Sequence, residues 1–292
     1  MAQYTKHSIS VANINIALAL MFRTLPDVTA DNGTRTMKSD PFEFRHRLTN
    51  GEKLSGTFIK TPSGHATEIL GDLGYDFIVI DEEHAPFDRL AIDQALVSAR
   101  AAHIAALVRV ASASPSNLLS VLDAGAAGVL VPHVSSAQKA ADVAAACRYK
   151  GGARGFSNSP RAGRYGGLSL QQHIEHADAV TTVVAQIEDP EALDQIDAIA
   201  AVDGIDALFI GRGDLAVALG AGSPEAPEIR AAAERISTAA RRAGKPVMVF
   251  VGSNKDALAM REIGACAFVF SSDQGLMRQA AGRALAEFEA LA

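Results

Sequence analysis

The sequence predicts an α/β fold, a single-domain (β/α)8 barrel of the TIM type. Three observations predict it. Short apolar runs alternate eight times with amphipathic Ala/Leu-rich stretches from Leu54 onward, and helix start and stop signals lie where this alternation needs them. No Gly-x-Gly-x-x-Gly follows the first run, as an open dinucleotide-binding sheet would require. No Pro- or Ser-rich linker interrupts the pattern, which indicates one domain.

The eight runs are short and continuously apolar, as is typical of parallel strands covered on both faces. They span residues 55–59, 77–80, 106–110, 128–131, 182–186, 207–210, 246–250 and 267–270. Helical patterns lie between them at 65–73, 89–102, 115–124, 137–149, 170–177, 190–201, 227–243 and 255–263, and a last one runs from 274 to the end. Ser114-Pro115 and Asp189-Pro190 are typical helix starts, since each puts a proline at the first helical position.

Composition bounds the class of protein. The 292 residues are 48% hydrophobic and 21% charged, so the chain can bury a large core. A net charge of −6 argues against a nucleic-acid surface. The two cysteines, Cys147 and Cys266, lie in apolar segments, which favours a reducing compartment and a cytoplasmic protein over a disulfide framework.

The first 36 residues depart from the pattern. Their apolar stretch, from Ile14 to Phe22, is far shorter than the roughly 20 residues that a membrane span needs, so we expect no membrane partner. We interpret residues 1–36 as a poorly ordered extension, or as the product of a translation start upstream of Met37. The barrel domain is predicted to occupy residues 37–292.

In such a barrel, the loops that follow the strands build the active site. Asp81-Glu82-Glu83-His84 follows the second run, and a carboxylate beside a histidine suits proton transfer; a solvated acidic loop that caps the next helix is an equal alternative. Arg109 lies among aliphatic residues at the end of the third run. Its guanidinium suits a carboxylate or a developing oxyanion, or else a structural ion pair with the acidic loop.

Two later loops supply acidic residues. In Gln186-Ile187-Glu188, the two-residue period of a strand puts Gln186 and Glu188 on one face, where a buried carboxylate needs a cation. Gly213 precedes Asp214, which could bind a metal or cap a helix in a Gly-rich turn. Glu188 and Asp214 offer hard oxygen ligands for Mg²⁺, with Mn²⁺, Co²⁺ or Zn²⁺ as alternatives.

Two residues stay ambiguous. His133, after the fourth run, fits a structural role as well as a catalytic one. No lysine stands within the end of a predicted strand, which disfavours a Schiff-base mechanism, and Lys60, after the first run, is the only candidate for it.

Five segments, in this order, resemble the HpcH/HpaI aldolase family of metal-dependent (class II) pyruvate aldolases, which includes 2-dehydro-3-deoxyglucarate and 4-hydroxy-2-oxoheptanedioate aldolases. The likeness covers roughly residues 45–290. The segments are GYDFIVIDEEHAP at 74–86, LDAGAAG at 122–128 with Val131-Pro132, GARG at 152–155, QIE at 186–188 and FIGRGDL at 209–215.

The resemblance implies an aldehyde-lyase that reversibly cleaves a 4-hydroxy-2-oxo acid into pyruvate and an aldehyde. It implies that Glu188 and Asp214 bind the metal and that Arg109 stabilises the enolate oxygen of pyruvate. His84 would be the acid/base residue, acting through metal-bound water and helped by Asp81. Gln186 would line the site, and the backbone at Gly213 and Asp214 would hold the pyruvate carboxylate. A homo-oligomer, commonly a hexamer, is also implied.

Departures from the family pattern leave alternatives open. The family often has Gly-Pro-x-Asp-Leu-Ser where this chain has Gly-Arg-Gly-Asp-Leu-Ala at 211–216, so we interpret Arg212 as a mobile cation that alters substrate selectivity. The loop at 155–161 also differs and is expected to shape the aldehyde pocket. One alternative is an acyl-CoA ester lyase, whose cofactor would need basic residues such as Arg154, Arg161, Arg164 and Arg212. Another is a non-catalytic barrel, which would need degraded metal ligands.

Overall fold

Eight parallel strands form a closed barrel in the order in which they occur in the sequence, and β8 pairs with β1. The computed structural model describes residues 41–291. The strands are β1 (Leu54–Ile59), β2 (Phe77–Asp81), β3 (Ala105–Arg109), β4 (Gly128–Val131), β5 (Thr182–Ile187), β6 (Ala207–Ile210), β7 (Val247–Val251) and β8 (Ala265–Ser272). The predicted (β/α)8 barrel is confirmed.

Helices precede the barrel and surround it. They are α1 (Phe44–Thr49), α2 (Gly64–Leu73), α3 (Arg89–Ala101), α4 (Pro115–Asp123), α5 (Ala137–Cys147), α6 (Leu170–Val180), α7 (Pro190–Asp194), α8 (Ile196–Ala200), α9 (Arg212–Ala218), α10 (Pro227–Arg242), α11 (Asn254–Glu262) and α12 (Asp273–Glu289). Many begin at a side chain that accepts a hydrogen bond from a free backbone N–H of the first turn. The capping residues are Ser63, Asp88, Ser114, Ser136, Ser169, Ser253 and Ser272.

The two-residue period of the strands separates two cores. Outward-facing side chains pack under the helices, whereas inward-facing ones fill the barrel with residues that include Phe58, Phe77, Val79, Leu107, Val184 and Phe209. Beyond this inner core, the same period brings polar residues and a glycine to the mouth at the carboxyl ends of the strands. These are Lys60, Asp81, Arg109, Gln186, Glu188 and Gly211. Strand register therefore collects the candidate chemistry from five strands.

The local differences from prediction have physical causes. Helix α9 starts at Arg212, two residues before Asp214, the residue that we predicted to begin or cap a helix or to bind a metal, and Gly213 lies inside its first turn. The predicted helix at 190–201 is two helices separated by Gln195, whose φ of −109° departs from helical geometry. The short helix α1 was not predicted.

The predictions for residues 1–36 lie outside the described residues. Within residues 41–291, every helix is too short or too polar to cross a membrane.

Candidate active site

Arg109 and Asp81 form a buried ion pair at the mouth of the barrel. The register of β2 and β3 puts the two residues side by side. Arg109 donates from Nε to Asp81 Oδ1 at 2.9 Å and from Nη2 to Asp81 Oδ2 at 2.7 Å, and its guanidinium carbon lies 4.6 Å from the centre of the Phe58 ring. The ion pair with the acidic loop, one of the two interpretations of Arg109, is thus observed, and it fixes the guanidinium at the end of β3.

Lys60 completes this cluster. Its Nζ lies 3.0 Å from Asp81 Oδ2. Burial alone would raise the pKa of Asp81, but the hydrogen bonds and charges of Arg109 and Lys60 outweigh burial and lower it. Asp81 is consequently a carboxylate at neutral pH. An ammonium group paired with a carboxylate is a poor nucleophile, which argues further against a Schiff base on Lys60.

The structure changes the predicted relation between Asp81 and His84. Asp81 Oδ1 accepts a hydrogen bond at 3.2 Å from the backbone N–H of His84, and not from its imidazole. The imidazole of His84 is 55% exposed, and its Nε2 lies 3.7 Å from Glu83 Oε2. Asp81 therefore orients the loop that carries His84, and Glu83 is the carboxylate beside the ring.

Glu188 is the most deeply buried acid after Asp81 in this cluster, with 2% of its surface exposed. Its carboxylate accepts hydrogen bonds from Gln186 Nε2 and from the backbone N–H of His133, the latter at 2.8 Å. Burial raises the pKa of Glu188, and the negative charge of Asp214 raises it further, although both hydrogen bonds and the charge of His133 oppose the shift. A cation at this position would relieve both the burial and the repulsion.

For His133, the sequence did not distinguish between a structural and a catalytic role. It adopts a left-handed backbone with φ of 56°, which points its N–H at Glu188. Its Nδ1 lies 3.0 Å from Asp189 Oδ1 and its Nε2 lies 3.8 Å from Glu83 Oε1. Burial lowers the pKa of His133, but the hydrogen bond to Asp189 and the surrounding carboxylates outweigh it and raise the pKa. Its place after β4 was the one available signal.

The β6–α9 turn brings the second predicted metal ligand to the site. Gly211 has to be a glycine, because a Cβ there would lie 2.6 Å from Glu188 Cβ and 2.9 Å from Glu188 Oε2. Asp214 follows as the third residue of α9 and is exposed, and its charge acts on Glu188. Gly213, in the first turn of α9, is also exposed.

The donor set fits a hard cation. The cluster contains two permanently basic side chains, Lys60 and Arg109, and five carboxylates: Asp81, Glu83, Glu188, Asp189 and Asp214. The amide oxygen of Gln186 is buried without a hydrogen-bond partner among the described residues. Within residues 41–291, no group of three or more His, Cys, Asp or Glu side chains is arranged to hold a metal ion. A bound ion would therefore need oxygens from substrate or water besides two carboxylates.

Comparison with known proteins identifies the family of this chain. The family model described as HpcH/HpaI aldolase/citrate lyase matches residues 54–280. The chain belongs to this family. A 5-keto-4-deoxy-D-glucarate aldolase from Klebsiella pneumoniae subsp. pneumoniae is 32% identical over 242 residues, which are 82% of this chain and 94% of the relative. The resemblance seen in the sequence is confirmed, and so is the prediction of an aldolase, an aldehyde-lyase.

Two solved structures are similar to this chain over most of their length. A family member from Burkholderia cenocepacia J2315 is 32% identical, with a TM-score of 0.79 over 84% of this chain and 98% of its own. The citrate synthase SbnG is 28% identical, with a TM-score of 0.77 over 85% of this chain and 98% of its own. The family barrel is thus shared by proteins with different names, and the reaction has to be argued from the site.

One expected departure from the HpcH/HpaI pattern has a different meaning in the structure. The prediction of a mobile cation at Arg212 is wrong, because its side chain is buried and donates to both carboxylate oxygens of Asp256, at 2.9 and 2.6 Å. The loop at 155–161 contacts surrounding helices: Gly155 is near Leu119 of α4, and Arg161 pairs with Asp93 of α3 at 2.7 Å. A role of this loop in the aldehyde pocket stays a prediction.

Proposed function

We propose that this chain is a divalent-metal-dependent aldolase that reversibly cleaves a 4-hydroxy-2-oxo acid into pyruvate and an aldehyde. One observation carries the proposal. The buried carboxylate of Glu188 lies at the mouth of the barrel with a raised pKa, beside a second negative charge on Asp214. A buried carboxylate beside a second negative charge is suited to binding a cation.

Glu188 and Asp214 would hold the metal. Both supply hard carboxylate oxygens, which favour Mg²⁺, with Mn²⁺, Co²⁺ or Zn²⁺ as alternatives. When bound, such an ion polarises the ketone of a 2-oxo acid as a Lewis acid. Gln186 supports this role, because its Nε2 orients Glu188 while its Oε1 lacks a hydrogen-bond partner among the described residues.

Arg109 would stabilise the oxyanion that develops at the ketone oxygen. Its hydrogen bonds with Asp81 use Nε and Nη2, and Nη1 is the nitrogen proposed to donate to the substrate. Asp81 and the Phe58 ring fix the guanidinium plane, so little reorganisation is needed as charge develops. Asp81 is thus proposed to act on the reaction by holding Arg109 and the His84 loop.

His84 would move the proton. In cleavage, the 4-hydroxyl loses its proton, the C3–C4 bond breaks, and the electron pair moves onto the ketone to give the enolate of pyruvate, which then takes a proton at C3. The exposed imidazole of His84, on a loop fixed by Asp81, is the proposed base for the hydroxyl. His133 contacts Glu83, Glu188 and Asp189, so we assign it to holding these carboxylates and not to proton transfer.

The carboxylate of the 2-oxo acid would bind at the start of α9. The backbone N–H groups of Gly213 and Asp214 belong to the first helical turn, whose N–H groups have no partner within the helix. The substrate class is supported by the relative named 5-keto-4-deoxy-D-glucarate aldolase. That name describes a keto carbon next to a deoxy carbon, which is the 2-oxo-3-deoxy pattern of a 4-hydroxy-2-oxo acid.

The acyl-CoA ester lyase alternative is disfavoured by the positions of the arginines that would bind its cofactor. Three of the four arginines that it needs are paired with carboxylates: Arg154 with Asp123, Arg161 with Asp93, and Arg212 with Asp256. These side chains are also largely buried. We therefore favour a small 2-oxo acid and an aldehyde as substrates.

A cytoplasmic homo-oligomer is proposed for the whole chain, a hexamer by resemblance. Support comes from α12, which buries none of its residues. Met277, Leu285 and Phe288 are exposed along it, and apolar side chains in such number on one helix favour contact with another subunit. Analytical ultracentrifugation tests this proposal, and a monomer at micromolar concentration would contradict it.

The proposed reaction is tested by screening 4-hydroxy-2-oxo acids for pyruvate release, coupled to reduction by NADH and lactate dehydrogenase. The chain is first stripped with a chelator and then supplied with Mg²⁺, Mn²⁺, Co²⁺ or Zn²⁺. We expect cleavage only with metal. Undiminished cleavage after chelation, or its absence for every acid and metal, would contradict the proposal.

A further inference from the structure

The helix that carries Asp214 lacks a cap of its own. Gly211 stands at the N-cap position of α9, and no side chain there accepts a hydrogen bond from the first turn. The helix has only 7 residues, and short helices depend on tertiary contacts for stability. What holds the start of α9 therefore has to come from elsewhere in the barrel.

Arg212, the first residue of α9, makes that contact. Its guanidinium is 7% exposed and forms two parallel hydrogen bonds with Asp256, from Nη1 at 2.9 Å and from Nη2 at 2.6 Å. Nη2 also donates to the backbone oxygen of Phe250 at 2.8 Å. A planar fork against a carboxylate fixes direction as well as distance.

The partner of Arg212 is itself fixed. Asp256 lies in the first turn of α11, where its N–H donates to Ser253 Oγ at 3.1 Å. Its Oδ2 accepts from the backbone N–H of Gly252, also at 3.1 Å. The ion pair thus ties the start of α9 to the β7–α11 turn, across the strands β6 and β7.

A shift of this turn would reach the acidic residues directly. Gly211 donates from its N–H to the backbone oxygen of Ile187 at 3.0 Å, and its Cα faces the side chain of Glu188 without room for a Cβ. Asp214 lies two residues after Arg212. The position of residue 212 therefore sets where Asp214 lies relative to Glu188.

We propose that Arg212 is a positioning residue: its ion pair with Asp256 holds the first turn of α9 so that Asp214 and Glu188 can bind one divalent cation. This inference rests on the proposed function. In this inference Arg212 stabilises the fold around the site and does not bind substrate, because its side chain is buried and its charge is neutralised by Asp256.

The test is the affinity of the full chain for Mn²⁺, measured by isothermal titration calorimetry with the melting temperature recorded for every variant. We expect Arg212→Met to weaken Mn²⁺ binding at least tenfold. Arg230→Met is the matched control: it breaks an exposed ion pair with Glu234 and should leave the affinity unchanged. Should the Arg212 variant fail to fold, Asp256→Asn carries the same test, since it removes the partner's charge and keeps an oxygen for Gly252.

A rescue separates position from charge. Proline is well suited to the first helical position, where its fixed φ replaces an external restraint and its missing N–H has no partner in the helix. Arg212→Pro combined with Asp256→Asn should therefore recover most of the affinity, whereas Arg212→Lys should recover only part. Full recovery with lysine and none with the proline pair would overturn the inference, and so would wild-type affinity in Arg212→Met. A wild-type chain that binds no Mn²⁺ would instead contradict the proposed function.

Discussion

Replacing Arg109 by lysine tests whether the geometry of this cation matters beyond its charge. In the structure, Arg109 holds Asp81 through two parallel hydrogen bonds at 2.9 and 2.7 Å and lies over the Phe58 ring. Lysine keeps the positive charge but can make only one such contact while still reaching substrate. The variant therefore loses at least one charge-assisted hydrogen bond in the transition state.

The size of the loss follows from that count. A hydrogen bond to a charged group contributes about 1.5–3 kcal/mol. Because each 1.36 kcal/mol changes a rate by a factor of ten, kcat/KM should fall about 10- to 150-fold. The loss should appear mainly in kcat if the contact forms with the developing oxyanion, and mainly in KM if it binds the ground state.

The assay is coupled pyruvate release at saturating metal, with melting temperatures recorded in parallel. Arg230→Lys makes the same chemical change at an exposed helix position and should keep kcat/KM within twofold of wild type. If Arg109→Lys also stays within twofold while folded, the planar fork has no part in catalysis, and the role assigned to Arg109 is wrong.

Three further predictions concern neighbouring groups. Asp81→Asn leaves two cations beside a neutral side chain and should lower the free energy of unfolding by about 3–5 kcal/mol at neutral pH. Because the pKa of Asp81 is lowered in the fold, its ion pairs stabilise the protein above pH ~4. The difference in melting temperature between the variant and wild type should therefore shrink as pH falls below that value. Gly211→Ala should weaken metal binding because its Cβ would overlap Glu188, whereas Gly213→Ala, with open space around it, should not; calorimetry that finds equal affinities would contradict this. Borohydride added with pyruvate should leave the mass of the chain unchanged, because Lys60 is paired with Asp81 and should form no Schiff base. A reduced adduct on Lys60 would show a Schiff-base mechanism in place of the proposed one.

The sequence predicted the barrel well because its strongest signals are periodic and local. The alternation of strands and helices sets the topology, and the two-residue period sets which residues reach the mouth. Asp81 and Arg109 were selected because each stands at the end of a predicted strand, and Glu188 because the two-residue period puts it on the same face as Gln186.

Contacts between distant loops could not be predicted in the same way. Nothing in the local pattern pairs Arg212 with Asp256, 44 positions away, so a buried ion pair was interpreted as a mobile cation. His133 was undecided for a similar reason, because its three carboxylate neighbours, Glu83, Glu188 and Asp189, lie on two other loops. The start of helix α9 was predicted at Asp214, two residues after its actual start at Arg212, because glycines at 211 and 213 weaken the helical pattern.

The most direct test of the account is the stoichiometry of Mn²⁺ binding to the chelator-stripped chain, to Glu188→Gln and to Asp214→Asn. Each substitution keeps the size of the side chain and removes one negative charge. We predict one ion per wild-type chain and at least a hundredfold loss of affinity in each variant, with melting temperatures close to wild type or higher for Glu188→Gln, because that variant relieves a buried charge. Binding of one ion with unchanged affinity in both variants would mean that these carboxylates do not hold the metal.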